Sequence, residues 1–300
     1  MVAIPEKTKT YLKYEELIKR MERVFAKIAM NQFIVGDPFM NIAEKIYVDG
    51  SQFLEFITKH GGQGLAKNAV DTAILAFGIA QAMGLADFTI GTLLLGALLH
   101  DVGMFCIPQS IFTSKDLVKA EQRYILAHPI HGYNVIVKEL RYHGQVGLIA
   151  LEHHECWNGT GYPQGLSDTA ITLESRIVAI GAAFTAMTTP RVYRAALTGH
   201  QAMNQLLDGM NTQFDPHILQ AFVSFMGIYP LGSLVRLNTG AIARIIEQTA
   251  VPLKPRIRIL TDTYGEPCSE EAERDLTEAS HLFITGEVAE KDTVEDGAFI

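Results

Sequence analysis

The stretch Ile90–Leu99 carries no charged residue, is apolar on nearly every face, and ends on His100-Asp101 followed one residue later by Gly103. A helix that is apolar all round has to be enclosed, so the remainder of the chain must be built around it. Its polar end then emerges where the helix stops, at the floor of a cleft. Burying an unpaired His–Asp there costs on the order of several kcal/mol unless a metal ion or a mutual hydrogen bond compensates. About fifty residues further on, Leu151-Glu-His153-His154-Glu-Cys-Trp-Asn-Gly-Thr-Gly161-Tyr162-Pro163-Gln-Gly-Leu166 places two adjacent imidazoles before a loop stiffened by Gly and Pro. Imidazole and carboxylate together suit Fe, Mn or Zn, and a carboxylate can bridge two ions of the kind that act on phosphodiester bonds.

Composition narrows the class. With 300 residues, 48% of them hydrophobic, the chain can hold one large core with an appendage. The run from Ile90 is interrupted by Gly91, Thr92 and Gly96 and is too short for a membrane span, so no span is expected. No basic, apolar leader is visible in Met1–Thr10, and Cys106, Cys156 and Cys268 lack Cys-x-x-Cys spacing, which favours a reducing, cytoplasmic setting. From Glu266 onward 11 acidic residues face only Arg274 and Lys291, so that segment carries −9 of a net −8 and the body is left at +1. Such a body lacks the basic excess that duplex nucleic acid demands.

Taken in order, residues 1–60 read as an N-terminal helical segment, with Tyr11, Leu12, Leu17, Ile18, Met21 and Phe25 at mixed three-and-four spacing and a break at Gly36-Asp37-Pro38. Helices are expected over 68–84, with Asn68 as N-cap, over 90–101, over 117–128 ending at His128-Pro129, over 140–154, over 173–188, and over 216–226. Adjacent helical residues point about 100° apart, so His153 and His154 can share one ion only where the helix end unwinds, as the following Asn158-Gly-Thr-Gly161 invites. Tyr162, held between Gly161 and Pro163, can aim at a ligand. Arg191 and Arg194 suit phosphate, because guanidinium forks bind its oxygens bidentately. Glu155 is expected to partner the imidazoles, and His131 to lie at the surface. Beyond Tyr229-Pro230 the pattern changes to period two, Leu234–Leu237, Ala241–Ile246 and Pro255–Leu260, predicting a three-stranded β meander over 230–265 and a partly disordered acidic tail over 266–300.

The His100-Asp101 pair after an apolar helix, His128-Pro129, and the His153-His154-Glu155…Gly161-Tyr162-Pro163-Gln-Gly-Leu166 block together resemble the HD-GYP family, bacterial phosphodiesterases of cyclic di-GMP, over about Leu65–Gly227. The resemblance implies a mainly α fold, an HD-type helical bundle over 61–229 with a small antiparallel β appendage at the C-terminus. It also implies metal ligation by His100, Asp101, His128, His153 and His154, and substrate contacts from Tyr162, Arg191 and Arg194, with Asp101 and Tyr162 in the catalytic group.

The chain departs from the family pattern at three places. The family's early His corresponds to Asn68, the Lys after His-Asp-x-Gly to Met104, and the late Asp pair to Ala182 and Thr185. One transition ion rather than two is therefore expected, at Asp101, His128, His153 and His154, and hydrolysis of cyclic di-GMP or a related nucleotide is expected to be weak or absent. Two other functions stay open: a catalytically silent effector or scaffold whose Gly-Tyr-Pro loop meets a GGDEF-type protein partner, and a metallo-hydrolase of another nucleotide.

Overall fold

The computed structural model describes residues 6–57, 64–108, 119–190 and 195–288. Helix α1 (Glu6–Ala29) buries Tyr14, Leu17, Met21, Val24 and Phe25 at three- and four-residue spacing, and turns the Lys19–Glu15 and Arg20–Glu16 pairs outward. Helix α2 (Pro38–Asp49) starts from Asp37, whose carboxylate accepts the Met40 amide. A 3-10 turn and the single-turn α3 (Leu54–Ile57) follow. These elements share the core of the helices after them, since one buried cluster runs from Tyr14 to Met226. The N-terminal segment is a wall of the bundle.

At the centre, α4 (Leu65–Ala82) and α5 (Asp87–Leu99) are enclosed on nearly every side, and Leu93, Ala97, Leu98 and Leu99 have no exposed surface. The stretch 87–106 would suit a membrane span by length and hydropathy alone, but 61% of it is buried against the protein's own helices. Asn68 is no N-cap. Helix α4 begins at Leu65 after Gly64, and Asn68 sits in its first turn, where its side-chain oxygen accepts the Thr189 hydroxyl at 3.3 Å.

After α6 (Lys119–Leu126), the pair His128-Pro129 opens α7 (His128–Asn134) instead of ending the helix before it. Proline has no N–H to contribute and its fixed φ suits a first turn, so it begins a helix as readily as it stops one. A π-helical turn over Val135–Glu139 leads to α8 (Gly144–Glu152), N-capped by His143. The chain unwinds there, because His153 is the C-cap and His154 lies beyond it. Helix α9 (Leu173–Thr188) matches its expected span, as does α11 (Pro216–Met226). Between them α10 (Gly199–Asp208), absent from the sequence reading, is marked by a Thr198…Gln201 capping box.

The appendage is larger than a meander. Strands β1 (Leu234–Leu237), β2 (Ile242–Glu247) and β3 (Arg256–Thr261) lie where period-two alternation puts them, but β4 (Pro267–Asp275) and β5 (Ile284–Val288) join them in an antiparallel sheet of order β4-β3-β2-β1-β5. Acidic composition did not keep this stretch out of the sheet. Glu273 pairs with Arg258 at 2.8 Å and Arg256 at 3.4 Å, and Leu276 and Val288 bury apolar surface. Residues 289–300 lie outside the described set.

Candidate metal centre and substrate cavity

Helix α5 delivers His100 and Asp101 at its C-terminal end, α7 brings His128 in its first turn, and α8 ends in His153 and His154. The approach is close at Gly103, where a Cβ would lie 2.0 Å from the His128 carbonyl oxygen and 2.5 Å from the Gly132 nitrogen. Only glycine lets the turn after Asp101 pack against the start of α7. That contact sets the Asp101-to-His128 distance.

Three imidazoles are held in the same way. Nδ1 of His100 meets the Ala97 carbonyl at 2.7 Å, Nδ1 of His128 the Ile125 carbonyl at 2.6 Å, and Nδ1 of His153 the Ala150 carbonyl at 2.9 Å. A carbonyl only accepts, so each Nδ1 carries the proton and each Nε2 is free to offer its lone pair. All three Nε2 atoms converge on Asp101: His128 lies 3.2 Å and His153 3.7 Å from Oδ1, and His100 lies 3.4 Å from Oδ2. His128 and His153 Nε2 are 3.3 Å apart. One ligand atom from each of Asp101, His128, His153 and His154 falls within 4.8 Å of every other, whereas His100 stands on the far oxygen of the carboxylate.

Electrostatics follow from burial and crowding. Burial first, then neighbouring imidazoles, push His153 down to about 4 and His154 to about 2. Burial also opposes charge on His100, but the adjacent Asp101 outweighs it and leaves that imidazole above its ordinary value. Asp101 is disfavoured as an anion by burial, yet His100, His128 and His153 hold it well below the carboxylate range. The result is a carboxylate faced by imidazole nitrogens, with His153 and His154 held neutral, a donor set that fits a borderline transition ion.

The centre opens into a cavity of about 500 Å³. Tyr162 is half-buried and stacked on His154, with ring centroids 4.7 Å apart and planes at 15°. Its loop is fastened to α8: a Cβ on Gly161 would fall 2.3 Å from the Cys156 nitrogen, and the Tyr162 amide donates to the His154 carbonyl at 3.2 Å. Glu155 does not partner the imidazoles. Its buried carboxylate accepts the Gln164 and Leu166 amides at 2.7 and 3.0 Å, and so holds the loop that carries Tyr162. Glu152, one turn earlier, accepts the Thr172 amide at 2.9 Å and fixes the start of α9. Sequence could not tell these two carboxylates from ligands, since all four residues from Glu152 to Glu155 are potential metal donors.

The rest of the lining is nearly uncharged and includes Asn68, Met104 and Ala179, Ala182, Ala183 and Ala186. His131 is half-buried and takes no part in the cluster. Cys156 lines the cavity as a free thiol outside the donor group. Arg191 and Arg194 lie outside the described residues.

Comparison with known proteins agrees with this geometry. Residues 54–218 match the model of the HD domain family, and 234–295 match a KOW domain associated with HD domains. The cyclic di-GMP phosphodiesterase PA4108 of Pseudomonas aeruginosa is 31% identical over 194 residues, 64% of this chain and 47% of that protein. The cyclic di-GMP phosphodiesterase response regulator RpfG of Xanthomonas campestris is 36% identical over 147 residues, 48% of this chain and 39% of that protein. The chain thus spans about half the length, or less, of these curated relatives. Among solved structures, "Bd1817, a HDG"Y"P protein from Bdellovibrio bacteriovorus", shares the fold with a TM-score of 0.53 at 18% identity, over 74% of this chain and 72% of that one. With the family model covering more than half of its residues, and the His-Asp and Gly-Tyr-Pro motifs meeting in one cavity, the chain belongs to the HD domain family and is of the HD-GYP kind.

Proposed function

We propose that this chain is a metal-dependent phosphodiesterase of HD-GYP type that takes cyclic di-GMP or a related cyclic dinucleotide, holds one transition ion and turns over slowly. The observation that carries this reading is the convergence of three pre-oriented Nε2 atoms and His154 around one carboxylate. Asp101, His128, His153 and His154 would hold the ion. When bound, such an ion polarises a phosphoryl oxygen and lowers the pKa of water.

The chain's own residues supply the rest. The Ala97, Ile125 and Ala150 carbonyls orient the imidazoles of His100, His128 and His153 toward Asp101, Tyr162 covers His154 and limits water access from the loop side, and the alanines leave room for flat, uncharged groups. Burial raises the Tyr162 phenol above its ordinary value, so it stays protonated and donates to a substrate oxygen at neutral pH. The family resemblance gives Arg191 and Arg194 the substrate phosphates.

Slow turnover follows from the wall. Asn68 and Ala182 stand in the cavity where the family resemblance puts ligands of a further ion, and Met104 stands where it puts a cation. A silent effector protein is the second reading, favoured by the same wall. Docking of a GGDEF-type partner on the Gly-Tyr-Pro loop is less well supported, because Tyr162 is turned onto His154.

The deciding experiment is hydrolysis of cyclic di-GMP by protein purified without oxygen and supplied in turn with Fe(II) and Mn(II), with the His153→Ala/His154→Ala variant as blank. Turnover above the blank supports the enzyme. Metal retention and dinucleotide binding without turnover would make the chain an effector.

A further inference from the structure

A tight turn over Gly209–Asp215 contributes Gln213 and Phe214 to the cavity that Tyr162 also lines. The Gly209 carbonyl accepts the Thr212, Gln213 and Phe214 amides at 3.2, 2.9 and 3.1 Å, and the Asn211 amide donates to the Phe214 carbonyl at 3.1 Å. This turn is tied to the segment that follows His154: the Trp157 amide donates to the Gln213 carbonyl at 3.1 Å, and the Asn158 amide to the Thr212 carbonyl at 2.9 Å. A half-buried ion pair joins the turn to α9. Arg176 Nη1 donates to Asp215 Oδ2 at 2.6 Å, its guanidinium lies 5.6 Å from the Trp157 ring centroid, and Asp215 Oδ1 accepts the His217 amide at 2.8 Å.

The Gln213 backbone is therefore fixed, while its side chain is exposed on the cavity and, among the described residues, makes no hydrogen bond. Of the other polar side chains that line the cavity, Asn68, Thr160 and Glu155 are already engaged, whereas the Thr72 hydroxyl is buried without a partner and too short to span a base edge. Asn68 takes the Thr189 hydroxyl, Thr160 donates to Asn158 at 2.7 Å, and Glu155 holds two loop amides. A carboxamide carries a donor and an acceptor side by side, the pattern that recognises a nucleobase edge, and the neighbouring Phe214 and alanines offer the apolar surface against which a base face rests.

We propose that Gln213 is a specificity-determining residue that hydrogen-bonds a purine edge of the bound cyclic dinucleotide, with Arg176 and Asp215 as positioning residues that hold it there. This rests on the cyclic-dinucleotide reading of the same cavity. A carboxamide serves guanine or adenine edges alike, whereas a carboxylate only accepts and favours guanine, whose N1–H and N2–H are adjacent donors.

The test measures dissociation constants of cyclic di-GMP and cyclic di-AMP for the manganese-loaded full chain by rapid filtration, with metal content read on the same samples. Gln213→Ala is expected to weaken binding about tenfold, the scale of one lost bidentate base contact. Gln213→Glu is expected to shift the ratio of the two affinities toward the guanine ligand by about fivefold or more. Arg176→Lys is expected to weaken binding to an extent that does not add to that of Gln213→Ala. Equal weakening of both ligands in Gln213→Glu, with the ratio unchanged, would mean a merely structural role and overturn the proposal. If the parent protein binds and Gln213→Ala binds as well as it does, this inference alone fails; if the parent binds neither ligand, the cyclic-dinucleotide reading fails with it.

Discussion

The Nε2 atoms of His128 and His153 face each other across 3.3 Å, both on the same oxygen of Asp101. Their Nδ1 protons are committed to backbone carbonyls, so two lone pairs confront one another beside a carboxylate. A cation removes that conflict. Adding Mn(II) or Zn(II) at about one hundred times its dissociation constant is expected to stabilise the fold by about 2.7 kcal/mol, seen as a rise in thermal midpoint. His153→Ala should abolish the rise, and an undiminished rise in that variant would place the ion elsewhere.

Acid sensitivity of the metal-free protein follows from the same cluster. His153 and His154 are held at about 4 and about 2, below the ordinary histidine value of about 6.5 expected on unfolding. Between those values the unfolded chain binds protons that the native chain refuses, so this contribution is intact above about pH 6.5 and is lost as pH falls toward 4. His100, raised by Asp101, acts in the opposite sense: its contribution is full below about 6.5 and lost on going upward through its folded value. The His100 contribution changes above about pH 6.5, outside the acid window in which the two depressed imidazoles act. The thermal midpoint in chelator should therefore drop between pH 6.5 and 4.5, and a flat profile would contradict the buried neutral state.

Gly103→Ala tests how the ligands are brought together. A Cβ there meets the His128 carbonyl at 2.0 Å and Gly132 at 2.5 Å, both backbone, so α7 has to move away from Asp101. A cost of about 1–3 kcal/mol in urea unfolding is expected, together with a fall in metal affinity. Normal ion content in a folded Gly103→Ala protein would show that the approach is dispensable.

The uncharged wall predicts one tightly held ion per chain after dialysis, by elemental analysis. The double variant Asn68→His/Ala182→Asp restores an imidazole and a carboxylate to the cavity, where Asn68 and Ala182 both lie with His100 and Asp101. Its expected content is two ions, with faster hydrolysis of cyclic di-GMP. Two ions in the parent protein would refute the single-ion reading.

Much of this molecule could be read from residue order. The apolar surroundings of Ile90–Leu99 required a buried helix, and its C-terminal His100-Asp101 had to face a partner, as they do. The paired imidazoles were expected to need an unwound helix end, and α8 stops at Glu152. Period-two alternation marked β1 to β3. These features were legible because local periodicity and chain stereochemistry act within a few residues, and an enclosed polar group must find compensation whatever the fold.

Other features depended on neighbours distant in sequence. Which end of a helix His128-Pro129 occupies, whether Glu155 faces the imidazoles or the loop amides, and whether 267–288 joins a sheet were settled by packing. So was the pairing of Arg176 with Asp215, 39 residues apart, which steadies Gln213. Sequence alone determined which groups were able to bind metal and which segments had to be buried, since both follow from side-chain chemistry and local pattern. Tertiary structure alone decided how near the four expected donors come and how their rings are turned, because that depends on close approaches such as Gly103 to His128, whose cost exists only once distant segments meet.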